Sequence, residues 1–305
     1  VVDVEKKLAE LKQMGEKGNV KLDSEIAELR TRIKSLSKNA YKTLSAWDTV
    51  QVARHAERPA IRDYIGGMCD EFIELHGDRC YGDDHGIIGG LAKIDDQRVV
   101  LVGHQKGKTV EENISANFGM ANPEGYRKAL RLMKLGEKYG LPVVCLVDTP
   151  GAYAGMEAEA RGQAEAIARN LTEMATLSTP IVVVITGEGG SGGAIGIGIG
   201  DVVMMLSHSV YSVISPEGCA SILWRDGAKA SEAAEALKLT ASSLLDLGII
   251  DEIIPEPEGG AHRNYSETLL AVKSAILGHL KRLRKISRRR LVEKRYAKYA
   301  AMGRF

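Results

Sequence analysis

The chain has 305 residues, with 41 basic against 40 acidic side chains and a formal charge of +1. That length holds one or two domains with a large core, and that balance argues against a general polyanion binder. Aromatic residues make up only 5%, so stacking platforms for single-stranded nucleic acid are not expected.

Residues 1–57 carry helical periodicity. Val4, Leu8 and Leu11 recur at helical spacing, and so do Ile26, Leu29, Ile33 and Leu36. Gly15 to Gly18 break the pattern, which predicts a helical hairpin whose second arm Asp23 or Ser24 caps. A further helix through Leu44, Trp47 and Val50 is expected to end before Pro59. Such a hairpin serves as an interaction segment or stands free as a surface coiled coil.

From about residue 85 strands and helices alternate. Ile87–Ile94 and Val99–Gln105 predict paired strands across the turn at Asp95, Asp96 and Gln97. Pro123 opens a helix with Tyr126, Ala129, Leu130 and Met133 on one face, and Gly140 with Pro142 stops it. The apolar run 142–148 predicts a strand buried on both faces. One long helix follows, striped by Ala160, Ala164, Ile167, Leu171 and Met174, and Ile181–Thr186 begins the next strand. This order implies an α/β fold with right-handed crossovers in a largely parallel sheet. The C-terminal part from Ser266 is helical and basic. Arg288, Arg289, Arg290, Lys294 and Arg295 predict a solvated face or an acidic interface rather than a nucleic-acid site.

No apolar run of eighteen residues and no signal peptide are visible, so no membrane span is expected. The four cysteines, Cys69, Cys80, Cys145 and Cys219, form no C-x-x-C pair. Reduced thiols in a cytosolic protein, with no metal on this chain, are the expectation.

Two strands end in glycine turns, at Asp148–Tyr153 and from Gly187 to Gly193. Parallel strands deliver both to the carboxyl edge of the sheet, where α/β proteins place their sites. Three site classes compete for the second turn. Gly187-x-Gly189-x-x-Gly192 fits a dinucleotide fingerprint, but the following helix is too short and Asp201 comes too early. Gly189-x-Ser191-x-Gly193 fits a nucleophile elbow, with His104, His208 and His262 as conceivable partners. The third class is an oxyanion hole made by the amides of Gly192 and Gly193 where strand meets helix. It uses every glycine of the turn and is the favoured one.

The run from Gly187 to Trp224, with residues 53–59, 77–84, 103–107, 117–133, 148–153, 161–171 and 253–264, resembles the α subunits of the bacterial-type acetyl-CoA carboxylase carboxyltransferase. The resemblance covers nearly the whole chain. It implies a crotonase-like (ClpP/crotonase) spiral fold over 58–265, with the helical segment before it and basic helices at 266–305 after it. It implies transfer of a carboxyl group from carboxybiotin, held on a carrier protein, to acetyl-CoA, giving malonyl-CoA for fatty acid synthesis. The implied partners are a zinc-binding β subunit, the biotin carboxyl carrier protein and biotin carboxylase, in an α₂β₂ core. The implied location is the cytoplasm, or the plastid stroma in a photosynthetic eukaryote. Carried onto this chain, the donors are the Gly192 and Gly193 amides, with Gly189 and Gly190 beside them. Gly151 and Ala152 line the biotin side or only form the turn. Lys106 and Arg161 meet CoA phosphates or face solvent, solvent being favoured, and Glu217 is assigned a structural role. Bulky residues at Gly192 or Gly193 are expected to lower turnover far more than stability. Other crotonase-class chemistry on an acyl-CoA (a hydratase or thioesterase) and a non-catalytic scaffold for the β subunit stand as alternatives.

Overall fold

The computed structural model describes Tyr41 and residues 44–303. The expected N-terminal hairpin lies outside the described residues. In chain order the elements are α1 (Ala46–Ala53), α2 (Ile61–Met68), β1 (Glu71–Glu74), β2 (Ile87–Ile94), β3 (Gln97–His104), α3 (Val110–Ser115), α4 (Pro123–Tyr139), β4 (Val143–Thr149), α5 (Met156–Ala160), α6 (Gln163–Thr176), β5 (Ile181–Gly190), α7 (Ser191–Ile195), β6 (Val202–Leu206), β7 (Val210–Ser212), α8 (Pro216–Trp224), α9 (Ala230–Leu237), α10 (Ala241–Asp246), β8 (Glu252–Ile254), α11 (Tyr265–Leu283) and α12 (Arg288–Ala301).

Among the described residues the strands form one sheet in the order β1-β2-β3-β4-β5-β6-β8. The first three run antiparallel, and β3 through β8 run parallel. The hairpin β2–β3 turns in two residues. Asp95 takes a φ of 49°, and Gln97 already pairs with Ile94. Alternation along the central strands divides the core. Val143, Cys145, Val147, Ile181, Val183 and Ile185 face α4 and α6, while Val144, Leu146, Val182 and Val184 face α2 and α11. Among the described residues both faces of the central strands are therefore covered, which leaves the carboxyl edge of those strands open to carry a site.

Strand β5 is the pivot of this edge. Its first half pairs with β6 through Val182–Ile185, and its second half pairs with β7 through Glu188–Gly190. Gly187, Gly189 and Gly190 are thus buried strand residues rather than turn residues. The reason is proximity: a Cβ on Gly187 would meet Asp148 Oδ1 at 2.5 Å, and one on Gly190 would meet the Pro150 carbonyl oxygen at 2.1 Å.

Three expectations change in the helices. On α4 the buried face is Tyr126, Ala129, Leu132 and Met133, with Leu130 only half-buried. The long helix is two, because Gly162 adopts a left-handed φ of 82° between α5 and α6. Its inward stripe is Ala166, Asn170 and Met174, while Ala160 and Ala164 are exposed. On α12, Arg288, Arg289, Arg290 and Lys294 are exposed as expected, but Arg295 is 1% exposed. Its guanidinium donates to the carbonyls of Met174, Leu177 and Thr179 and to both Asp201 oxygens, so it ties the C-terminal helix to the sheet.

Candidate active site

The parallel strands β4 and β5 bring the two glycine segments to one edge and pack them backbone to backbone. Their ladder shifts register between Val147 and Thr149. At the shift Asp148 substitutes for the lost ladder bond, its Oδ1 accepting the Glu188 N–H at 2.9 Å. Beyond it, Thr149 Oγ1 accepts from the Gly151 N–H and donates to the Gly151 carbonyl, which fixes the turn carrying Gly151 and Ala152.

An ion network buttresses this edge. Lys106 Nζ lies 2.6 Å from Asp148 Oδ1 and 3.8 Å from Glu188 Oε2. Arg54, one residue past α1, donates through Nε and Nη2 to Glu188 Oε1 and through Nη1 to Glu217 Oε1. Arg58 forms a second pair with Glu256 at 2.6 Å, their side chains 2% and 0% exposed, and donates to the Thr186 carbonyl of β5. Burial alone would raise the Glu256 pKa, but the Arg58 charge and the hydrogen bond from His208 hold it well below the usual carboxylate range. His104 is fully buried, and burial drives its pKa down to about 3 against the pull of Asp148. The imidazole is therefore neutral; the Gly193 backbone bears on the ring and, like Asp148, opposes the effect of burial, while neither ring nitrogen makes a hydrogen bond of ordinary length and angle among the described residues.

At the tip, the chain passes from β5 into α7 through Ser191, whose φ is 50°. Gly192 and Gly193 follow at once. Neither amide donates to an acceptor among the described residues, because the short helix begins only at Ser191. The two glycines differ in their surroundings. A Cβ on Gly193 would lie 2.4 Å from the Gly151 carbonyl carbon and 2.5 Å from the Ala152 nitrogen. A Cβ on Gly192 would have only Ile167 Cδ1 nearby, at 3.5 Å. Gly193 is therefore required by packing, whereas Gly192 has room above it.

The structure brings together Gly151, Ala152, Gly190, Ser191 and Gly193, and sets Gly189 one residue deeper, against Tyr211. Lys106 is neither free in solvent nor placed as a lone phosphate ligand, because Asp148 holds it. Arg161 is likewise engaged, with Glu124 at 3.1 Å, Asn122 at 3.2 Å and the Tyr81 ring at 4.7 Å. Glu217 is a strut for Arg54. Sequence reasoning missed Arg54, Glu188, Asp148 and His104 as one cluster. The available signal was an acidic residue inside the glycine run and another at the end of the preceding strand, both bound for one sheet edge. A groove of about 510 Å³, lined in part by Arg62, His76, Gln105, Lys106 and Lys108, opens beside the end of β3.

The family model for acetyl co-enzyme A carboxylase carboxyltransferase-like proteins matches residues 1–303. An acetyl-coenzyme A carboxylase carboxyl transferase subunit alpha from Geobacter metallireducens is 53% identical over 305 residues, covering 100% of this chain and 96% of the relative. The same subunit from Bacillus cereus is 52% identical over 99% of this chain and 94% of its own length. That of Geobacter sulfurreducens is 58% identical over 87% and 83%. Among solved structures, transcarboxylase 12S superposes with a TM-score of 0.56 at 20% identity, over 72% of this chain and 42% of the other. A single-chain, multi-domain long-chain acyl-CoA carboxylase gives 0.57 at 20% identity, over 76% and 23%. These likenesses concern the fold, and they bear out the crotonase-like α/β architecture.

Proposed function

The chain belongs to the acetyl co-enzyme A carboxylase carboxyltransferase-like family, and from that premise we propose that it supplies the carboxybiotin side of the carboxyl transfer that yields malonyl-CoA from acetyl-CoA. It is the α subunit of an acetyl-CoA carboxylase carboxyltransferase. The observation that carries the site assignment is the pair of amides, Gly192 and Gly193, with no acceptor inside the described chain.

The residues present suit a biotinyl group: two unspent donors, an exposed hydroxyl at Ser191, and open space above Gly192. When bound, that group supplies a ureido nitrogen bearing the carboxyl to be moved. The chain's own residues bind and polarise. Gly192 and Gly193 donate to the ureido oxygen as negative charge gathers there, which is worth most in a site closed to water. Gly151 and Ala152, held by Thr149, form the facing wall, and Gly189 and Gly190 let the two strands close up behind it. The Arg54–Glu188–Lys106–Asp148 network fixes the edge so that these donors do not reorganise during the reaction. His104, neutral and buried, is not placed to exchange protons with solvent.

The thioester half of the site belongs, in this reading, to a zinc-binding β subunit, and the biotin carboxyl carrier protein delivers the ligand. Val213, Ile222 and Leu223 are 78%, 72% and 63% exposed just past the active edge, as expected of a surface that a partner covers. No helix of the described residues is long and apolar enough to cross a membrane, and we place the complex in the cytoplasm or plastid stroma.

The test mixes the chain with the β subunit of its own source and follows malonyl-CoA decarboxylation with biocytin as acceptor. Activity is expected from the pair and from neither subunit alone. Turnover of an acyl-CoA by this chain without biotin would replace the assignment with hydratase or thioesterase chemistry.

A further inference from the structure

Ser191 is the anomaly of the glycine segment. Eight glycines stand between Gly187 and Gly200, yet none of them takes a left-handed φ, and the one residue that does is this serine, at 50°. An L-residue pays about 1–2 kcal/mol for that conformation, and glycine pays almost nothing. Ser191 is also exposed, where the strand before it and Gly193 and Ala194 after it are buried. Its hydroxyl has no hydrogen-bond partner among the described residues. A strand–residue–helix turn with a positive φ lifts the side chain to the tip and points it outward beside the following amide. Here that amide is Gly192.

Such a turn is also how hydrolases present a nucleophilic serine, which then needs a base in hydrogen-bonding reach. Among the described residues no histidine hydrogen-bonds Ser191, and His104, which the Gly193 backbone touches, is buried and neutral. The geometry offers a hydroxyl beside an unspent amide and gives it nothing to surrender a proton to. We propose that Ser191 is a further catalytic residue of the carboxyl transfer, its O–H donating to the ureido head that the Gly192 and Gly193 amides hold. This rests on the function proposed above. No covalent bond forms at Ser191, and its proton stays on the oxygen throughout.

The test uses the reconstituted α–β complex with Ser191→Ala and Ser191→Gly, and three readouts: kcat for malonyl-CoA decarboxylation with biocytin, the Kd of biocytin by calorimetry, and Tm. Both variants should lower kcat by roughly 10- to 100-fold, the worth of one hydrogen bond to a charge-bearing oxygen. Both should weaken biocytin binding while leaving the KM for malonyl-CoA unchanged. Ser191→Gly should melt above Ser191→Ala, because only glycine relieves the left-handed φ. Wild-type kcat and biocytin affinity in Ser191→Gly would overturn the proposal and leave serine a turn residue. A covalent adduct on Ser191 in the mass spectrum after turnover would overturn it in favour of a nucleophile. Gly192→Val in the same complex separates the levels. If it abolishes activity while the serine variants behave as wild type, only the role of Ser191 falls; if it too is inert, the glycine site falls with it.

Discussion

Gly192 and Gly193 are adjacent, yet the structure predicts opposite stability outcomes for them. A methyl on Gly193 meets two backbone atoms of the β4 turn at 2.4 and 2.5 Å. Backbone in a packed core yields little, so Gly193→Ala should cost about 1–3 kcal/mol, which lowers Tm by roughly 2–12 °C in a domain of this size. Substitution at Gly193 is therefore expected to cost stability as well as turnover, whereas the sequence alone sets the loss of turnover far above the loss of stability at both glycines. A methyl on Gly192 makes one ordinary contact, with Ile167 at 3.5 Å, and its φ is not left-handed. Gly192→Ala should melt at or slightly above wild type, since alanine gains up to about 1 kcal/mol over glycine in a helix. Gly192→Val should retain the fold but set a branched side chain over the amide it shares. Loss of one such donor lowers kcat by about 10²–10³-fold. Thermal melts of the chain and biocytin-dependent malonyl-CoA decarboxylation by the α–β complex measure the two effects separately. Wild-type kcat in Gly192→Val refutes the donor assignment, and a wild-type Tm in Gly193→Ala refutes the packing argument.

Other perturbations follow from the buried charges. Arg58→Ala leaves the Glu256 carboxylate buried without its main partner and should cost about 3–5 kcal/mol in urea unfolding; a change under 1 kcal/mol would show that Glu256 finds other compensation. Arg295→Ala strands three carbonyls and Asp201 and should destabilise by at least about 3 kcal/mol, whereas Arg289→Ala, whose side chain is 92% exposed, should stay within about 0.5 kcal/mol. The folded pKa of His104 is depressed from 6.5 to about 3, so below pH 6.5 the unfolded chain binds a proton that the folded chain does not. The stability due to neutral burial is complete above that pH and declines towards pH 3, by up to about 1.4 kcal/mol per pH unit. His104→Gln should flatten this acid limb in denaturant titrations followed across pH, and an unchanged slope would show that another group causes it.

The βαβ framework was legible because periodicity records burial directly: the run 143–147 is apolar without a break, and the strand it predicts, Val143–Thr149, is buried at every position. The glycine segment was legible only as a demand for missing side chains, and residue type does not say who makes the demand. Gly187 yields to the Asp148 carboxylate, Gly190 to the Pro150 carbonyl and Gly193 to Gly151, while Gly192 has no crowding neighbour. A turn starting at Gly187 was therefore the wrong boundary. The strand runs on to Gly190, because β7 comes back to pair with it from 22 residues away, an interaction outside any local window. Charge misled for the same reason. Arg295 sits among exposed basic neighbours in sequence, but α12 turns that one position onto the carbonyls at the end of α6. Arg54 was legible only as part of a motif, and its two carboxylate partners lie 134 and 163 residues along the chain. Sequence thus located the edge where chemistry is expected, and tertiary contact sorted its residues. Most glycines there serve closure and the ionic side chains serve rigidity, so Ser191 and Gly192 are left as the groups with both room and unspent hydrogen-bonding capacity.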